Sequence, residues 1–172
     1  MLLFEDFKNH NKILDKLSLN IGKEFDDYYE LEWYLEDEYG IMITDDIISF
    51  DSLDEEVEKI IGNLPVKLYH FAPKKFKKDI IKEGLIKGKH RTNPYGNTYS
   101  GVYLTTRTQG KEIDSYKYHI RNTHNSDIIL VEVKMYLNEI VPDPDDVDIQ
   151  SGRNQFISDN ISPQRIIKIE DI

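Results

Sequence analysis

Three short segments hold the side chains best suited to chemistry in this 172-residue chain. They read Leu-Tyr-His-Phe at 68–71, Gly-Val-Tyr-Leu-Thr at 101–105 and Arg-Asn-Gln-Phe-Ile at 153–157. The candidates are the imidazole of His70, the phenol of Tyr103 and the amide of Asn154 or Gln155. An imidazole and an amide make directed hydrogen bonds, and a tyrosine ring is a stacking platform. An amide can hold a hydroxyl group, but it cannot serve as a general base.

Several enzyme classes are excluded by composition. The chain has no cysteine, so disulfides, thiolate nucleophiles and zinc–thiolate sites are ruled out. It contains neither a Gly-Lys-Ser/Thr phosphate loop nor a Gly-x-Ser-x-Gly elbow. The acidic segment 143–148 lacks the Gly and the distal Glu of a helix–loop–helix calcium site, which favours a solvated turn. We therefore expect no metal centre.

Membrane and export signals are also lacking in the sequence. No apolar run approaches the ~18 residues that a membrane-spanning helix needs. The first residues carry Glu5 and Asp6 where a secretory signal has a basic flank. We expect a cytoplasmic protein with no membrane partner.

The charges divide the chain into three parts. Residues 1–62 carry 5 Lys and Arg against 18 Asp and Glu, whereas residues 63–125 carry 13 against 4. Residues 126–172 are acidic again, with 4 against 10. A basic middle part is able to hold anionic groups in a chain of net charge −10. Alternatively, the basic and acidic parts neutralise each other in the fold.

Periodicity predicts an α+β fold. Apolar residues at helical spacing, including Phe25, Tyr28, Leu31 and Leu35, predict that region 1–62 is helical. Alternation predicts the first strand of a second domain, which spans 63–172. Its predicted strands cover 66–71, 101–105, 128–137, 154–157 and 165–169, with helices over 73–84 and 110–122.

In order and spacing, the motifs resemble those of the ADP-ribosyltransferase superfamily, in its branch with a His, a Tyr and a third polar residue. The matching order is a strand with His70, a helix closing on Gly84 and Leu85, and a strand with Tyr103 before Leu-Thr. A late strand then precedes the Ile-Ser-Pro turn at 161–163. The resemblance covers about residues 66–169 and implies a split β-sheet.

The resemblance implies that NAD donates ADP-ribose to a macromolecular acceptor, a protein or a nucleic acid, and that nicotinamide is released. His70 would hydrogen-bond the ribose near the nicotinamide, Tyr103 would stack on the nicotinamide, and Gln155 would contact the ribose 2′-hydroxyl. Many active members have Glu at the third position, so the amide favours transfer of a single ADP-ribose. The same resemblance suits a toxin or phage effector. It leaves two alternatives, a non-catalytic nucleotide- or partner-binding protein and an RNA 2′-phosphotransferase.

The loop at 87–100 is the other expected NAD contact. Lys87, Lys89 and Arg91 are suited to the pyrophosphate, and Tyr95 and Tyr99 to stacking on a base. Phe71 lies beside His70 and is a further expected contact. The acidic region 1–62 is aromatic-rich, which suits a protein partner. It could equally shield the basic part or simply add bulk and solubility.

Overall fold

A computed structural model describes residue 25 and residues 28–39, 62–88, 101–142 and 155–172. Within these ranges the fold is α+β, as the sequence predicts. Its strands are β1 (Pro65–Pro73), β2 (Val102–Thr105), β3 (Ile128–Tyr136), β4 (Ile140–Pro142), β5 (Gln155–Ser158) and β6 (Ile166–Asp171). Its helices are α1 (Tyr28–Tyr39), α2 (Lys77–Glu83) and α3 (Lys111–His124), with 3-10 turns at Lys74–Phe76, Leu137–Glu139 and Pro163–Arg165.

The strands form one six-stranded sheet in the order β4-β5-β2-β1-β3-β6. β1 pairs antiparallel with β2, with Tyr69 opposite Thr105. β2 pairs antiparallel with β5, with Tyr103 opposite Ile157 and Thr105 opposite Gln155. This order puts β5, β2 and β1 side by side, and these are the strands that carry Gln155, Tyr103 and His70.

The described residues form two compact units. The first contains those before Lys67 together with Tyr136–Asn138, and the second contains those in Lys67–Met135 and Glu139–Ile172. In the first unit, Leu35 of α1 is fully buried, and the rings of Phe25 and Tyr34 lie 5.3 Å apart. None of the helices in the described ranges is long and apolar enough to cross a membrane.

The core of the second unit follows from strand and helix periodicity. Along β3, alternate residues from Ile129 to Met135 are buried, while the residues between them are half-buried. α3 turns Ile113 and Ile120 inward, where they pack with Phe71 of β1. Asn125 ends α3 in the left-handed conformation, with φ of 45°.

The structure confirms the strands and helices predicted within the described ranges, with shifted ends. β4 was not predicted, because three residues are too few to display an alternation. The α2 segment begins with a 3-10 turn at Lys74–Phe76, so its α-helical part starts later than predicted.

Candidate functional site

His70 lies in the buried stretch of β1 and hydrogen-bonds to the neighbouring strand. Strand alternation places it on the same side of β1 as Leu68 and Ala72, which are fully buried, and its own residue is 4% exposed. Its Nδ1 lies 2.7 Å from the backbone oxygen of Tyr103. Because a carbonyl oxygen only accepts hydrogen bonds, Nδ1 is the donor and carries a proton. In the neutral ring, Nε2 is therefore an acceptor.

Tyr103 is held between two buried residues of β2, Val102 and Leu104, and is itself half-buried. Its carbonyl oxygen accepts the His70 bond. β1 and β2 pair at Tyr69 and Thr105, which lie one residue before His70 and two residues after Tyr103. Since side chains alternate between sheet faces, this register directs the imidazole and the phenol to opposite faces. A cleft shared by the two rings requires β1 and β2 to separate beyond Tyr69.

Gln155 is the first residue of β5 and lies opposite Thr105 of β2. Thr105 in turn lies opposite Tyr69, the neighbour of His70. Tyr69, Thr105 and Gln155 thus form one row across the sheet. His70 is next to Tyr69 in the chain, and Tyr103 is two residues from Thr105. Asn154, the other candidate for the third position, lies outside the described residues.

Phe71 belongs to the apolar core. It is 1% exposed and packs with Ile113, Ile120 and Ile128. The Tyr116 ring meets it edge-on at 6.1 Å, and Lys117 Nζ lies 5.2 Å from its ring centre. With its ring in this core, Phe71 would contact a ligand through its main chain.

Four of the five loop residues expected to contact NAD lie outside the described residues, namely Lys89, Arg91, Tyr95 and Tyr99. Lys87 at the start of this loop is described. Its ammonium group lies 2.6 Å from Asp159, and its N–H donates to the Asn160 side chain at 2.9 Å. Lys87 is therefore used to anchor the loop to the segment after β5.

The structure adds buried polar residues that the sequence analysis did not single out. Thr105 and Thr106 at the end of β2 are 8% and 7% exposed, and Thr105 Oγ1 accepts the Arg107 N–H at 3.1 Å. Ser158 on β5 is 7% exposed and donates to the Glu139 carbonyl at 2.9 Å. The signal for Thr105 was present, as it follows Tyr103 in the Tyr-Leu-Thr motif.

In the described ranges, no group of three or more His, Asp or Glu side chains is arranged to hold a metal ion. The sequence-predicted catalytic residues that the structure describes lie on three neighbouring strands, His70 on β1, Tyr103 on β2 and Gln155 on β5. Such a set can orient a ligand and its hydroxyl groups by hydrogen bonds. No protein-family model and no curated protein matches this chain.

Proposed function

We propose that this chain transfers ADP-ribose from NAD to a macromolecular acceptor with release of nicotinamide. The observation that carries the proposal is the 2.7 Å contact between the His70 ring and the Tyr103 backbone. It joins two of the three residues to which the resemblance assigns NAD contacts. The third, Gln155, is on the next strand of the sheet.

In this reaction, the bond between ribose C1′ and the nicotinamide nitrogen breaks, and its electron pair stays on nicotinamide, which leaves neutral. A nucleophilic atom of the acceptor bonds C1′ and gives its proton to solvent. In NAD the nicotinamide ring already carries a positive charge, which it loses on leaving, so little acid catalysis is needed. The protein is left to position the ribose and to stabilise developing charge.

The chemistry of the candidate residues fits this division of work. The Tyr103 carbonyl fixes the ring of His70 so that Nε2 can accept a hydrogen bond from a ribose hydroxyl. The Tyr103 phenol would provide a platform for nicotinamide. The Gln155 amide would hold the 2′-hydroxyl, and because it is no base, the acceptor has to be a good nucleophile without help from it.

The proposal requires β1 and β2 to change position when NAD binds. His70 Nε2 is buried, and the register separates the imidazole from the phenol. Bound NAD must therefore uncover Nε2 and part the strands beyond the Tyr69–Thr105 pair. The resemblance implies a split β-sheet, and the proposal places the split here.

A labelling assay tests the activity. The purified chain is incubated with NAD radiolabelled in its adenylate phosphate and with a cell lysate, and label on macromolecules is measured together with released nicotinamide. The wild type should transfer label. His70→Asn retains an amide donor for the Tyr103 carbonyl but has no counterpart of Nε2, so labelling should fall about 100-fold.

Tyr103 supplies the matched pair of variants. Tyr103→Phe keeps the ring and should retain labelling, whereas Tyr103→Ala removes the platform and should abolish it. Circular dichroism of each variant establishes that it is folded. Wild-type labelling that survives in folded His70→Asn and Tyr103→Ala would contradict the assignment.

The second candidate function is a non-catalytic nucleotide-binding protein on the same sheet. The neutral amide at the third position and the 4% exposure of His70 favour it. Two measurements separate the functions. NAD would raise the melting temperature of a binding protein, but the labelling assay would detect no released nicotinamide.

A further inference from the structure

An open polar pocket of about 590 Å³ lies in the second unit, between the turn after β1 and the end of α3. Its lining residues are Lys74, Lys75, Arg121, Asn122, Asn125, Ser126 and Asp127. Three of these carry a positive charge and one carries a negative charge. None of them belongs to the proposed NAD site, so a role for this pocket does not depend on that function.

Main-chain hydrogen bonds fix the walls of this pocket. The Lys74 N–H donates to the Asp127 carbonyl at 2.7 Å, and the Lys75 N–H donates to Ser126 Oγ at 3.3 Å. Asn125 makes the left-handed turn that ends α3. The main chains of two consecutive lysines are therefore tied to the segment after α3, which fixes where both side chains start at the pocket wall.

The cations of the pocket outnumber the carboxylates that they contact. Lys75 Nζ donates to the His124 carbonyl at 3.1 Å, and this acceptor is neutral. Arg121 lies 3.5 Å from a main-chain oxygen of Ile172, which is a carboxylate oxygen in the 172-residue chain, and this distance is the outer limit of a hydrogen bond. Lys74 shares the carboxylate of Asp171 with Lys77, at 3.3 and 2.9 Å, so one negative charge serves two positive ones. The surface keeps an excess of positive charge.

An exposed aromatic ring adjoins this charge. Tyr118 is 64% exposed and precedes Arg121 and Asn122 by three and four residues on α3. Residues at these spacings share one side of a helix. The ring is therefore offered to solvent beside the cations and amides of the pocket.

We propose that this face of α3, with the adjoining lysines, binds single-stranded nucleic acid. Lys74, Lys75 and Arg121 contact backbone phosphates in the pocket, and a base stacks on Tyr118. A small anion would contact the cations but not the Tyr118 ring. The bases of a duplex are stacked on each other, so their faces cannot stack on Tyr118. We call Lys74, Lys75, Tyr118 and Arg121 the α3 surface.

Fluorescence anisotropy with a labelled oligothymidylate tests the proposal at several salt concentrations. The double variant Lys75→Gln/Arg121→Gln should bind more weakly at low salt. It should also reduce the slope of log affinity against log salt by about 1.4, since each single-strand phosphate contact contributes about 0.7. Tyr118→Ala should weaken binding about fivefold or more, and Tyr118→Phe should retain it.

Lys82→Gln/Lys168→Gln is the matched control, because both lysines are exposed, lie outside the pocket and off α3, and give the same change of charge. The chain has net charge −10, so binding by general attraction is disfavoured. The proposal is overturned if the wild type does not bind, if the control weakens binding equally, or if Tyr118→Ala binds normally. Equal competition by inorganic pyrophosphate at the same phosphate concentration would identify a small-anion site and also overturn it.

Discussion

At the scale of the residue, one hydrogen bond decides which ring nitrogen of His70 is the donor. The Tyr103 carbonyl takes Nδ1, so the neutral ring presents Nε2 as an acceptor. Phe71, the next residue, points its ring into the core beneath α3. His70 and Phe71 thus have different surroundings, because successive side chains of a strand face opposite sides of the sheet.

Phe71→Leu separates a core role from a cofactor role. Leucine fills much of the cavity, so the free energy of unfolding should fall by about 1 kcal/mol, against about 3–5 kcal/mol for Phe71→Ala. Urea denaturation measures both values. At a temperature where each variant is folded, the KM for NAD in Phe71→Leu should match the wild type. A large rise in KM without loss of stability would show that the Phe71 ring contacts NAD.

At the scale of the element, α2 is tied to the segment that follows β5. Gly84 ends α2 with a φ of 82°, and Leu85 exchanges backbone hydrogen bonds with Ile161 at 2.9 Å in both directions. A Cβ at Gly84 would lie 2.0 Å from the Ile161 carbonyl oxygen. The glycine is required both by its conformation and by this close approach.

Gly84→Ala should therefore destabilise the protein by more than about 2 kcal/mol, because backbone with φ of 82° and ψ of −163° is almost restricted to glycine and alone costs about 1–3 kcal/mol. Gly88→Ala is its control, since Gly88 has a φ of 74° with nothing within 4 Å of an added Cβ. Thermal unfolding compares the two. Equal losses would show that the contact with Ile161 contributes nothing beyond the conformational cost.

Local patterns predicted the elements well, and long-range pairing set the limit. The alternation of β1 and β3 and the amphipathic spacing of α3 are visible in the sequence, since neighbouring residues create them. The burial of Phe71 depends on which face of β1 is covered by α3, and the role of Lys87 depends on Asp159, 72 positions later. The register that separates His70 from the Tyr103 phenol is likewise a property of paired strands. None of these can be read from one segment.

At the scale of the whole molecule, the acidic end of the chain neutralises part of the basic middle. Lys67 pairs with Glu132, Lys87 with Asp159, and both Lys74 and Lys77 with Asp171. Lys75 donates instead to a neutral backbone carbonyl, and Arg121 lies 3.5 Å from an oxygen of Ile172, too far for a strong ion pair. The ion pairs within the second unit therefore leave an excess of positive charge on the α3 surface.

Asp171 links distant parts of the chain, since it is 94 positions from Lys77. Hydrogen bonds from Lys77 and Lys74 lower the pKa of its carboxyl below the usual 3.8. Because the folded state favours the ionised form, Asp171 adds stability above pH 3.8 and loses this contribution as the pH falls through its lowered pKa. Asp171→Asn should lower the Tm slightly at neutral pH, and the difference in Tm from the wild type should shrink below pH 3.8.

Glu170→Gln is the control, as Glu170 pairs with Lys168 two positions away on the same strand. Melting curves across pH measure both differences, and a gap for Asp171→Asn that persists unchanged at the acid end would refute the ion pair as its cause.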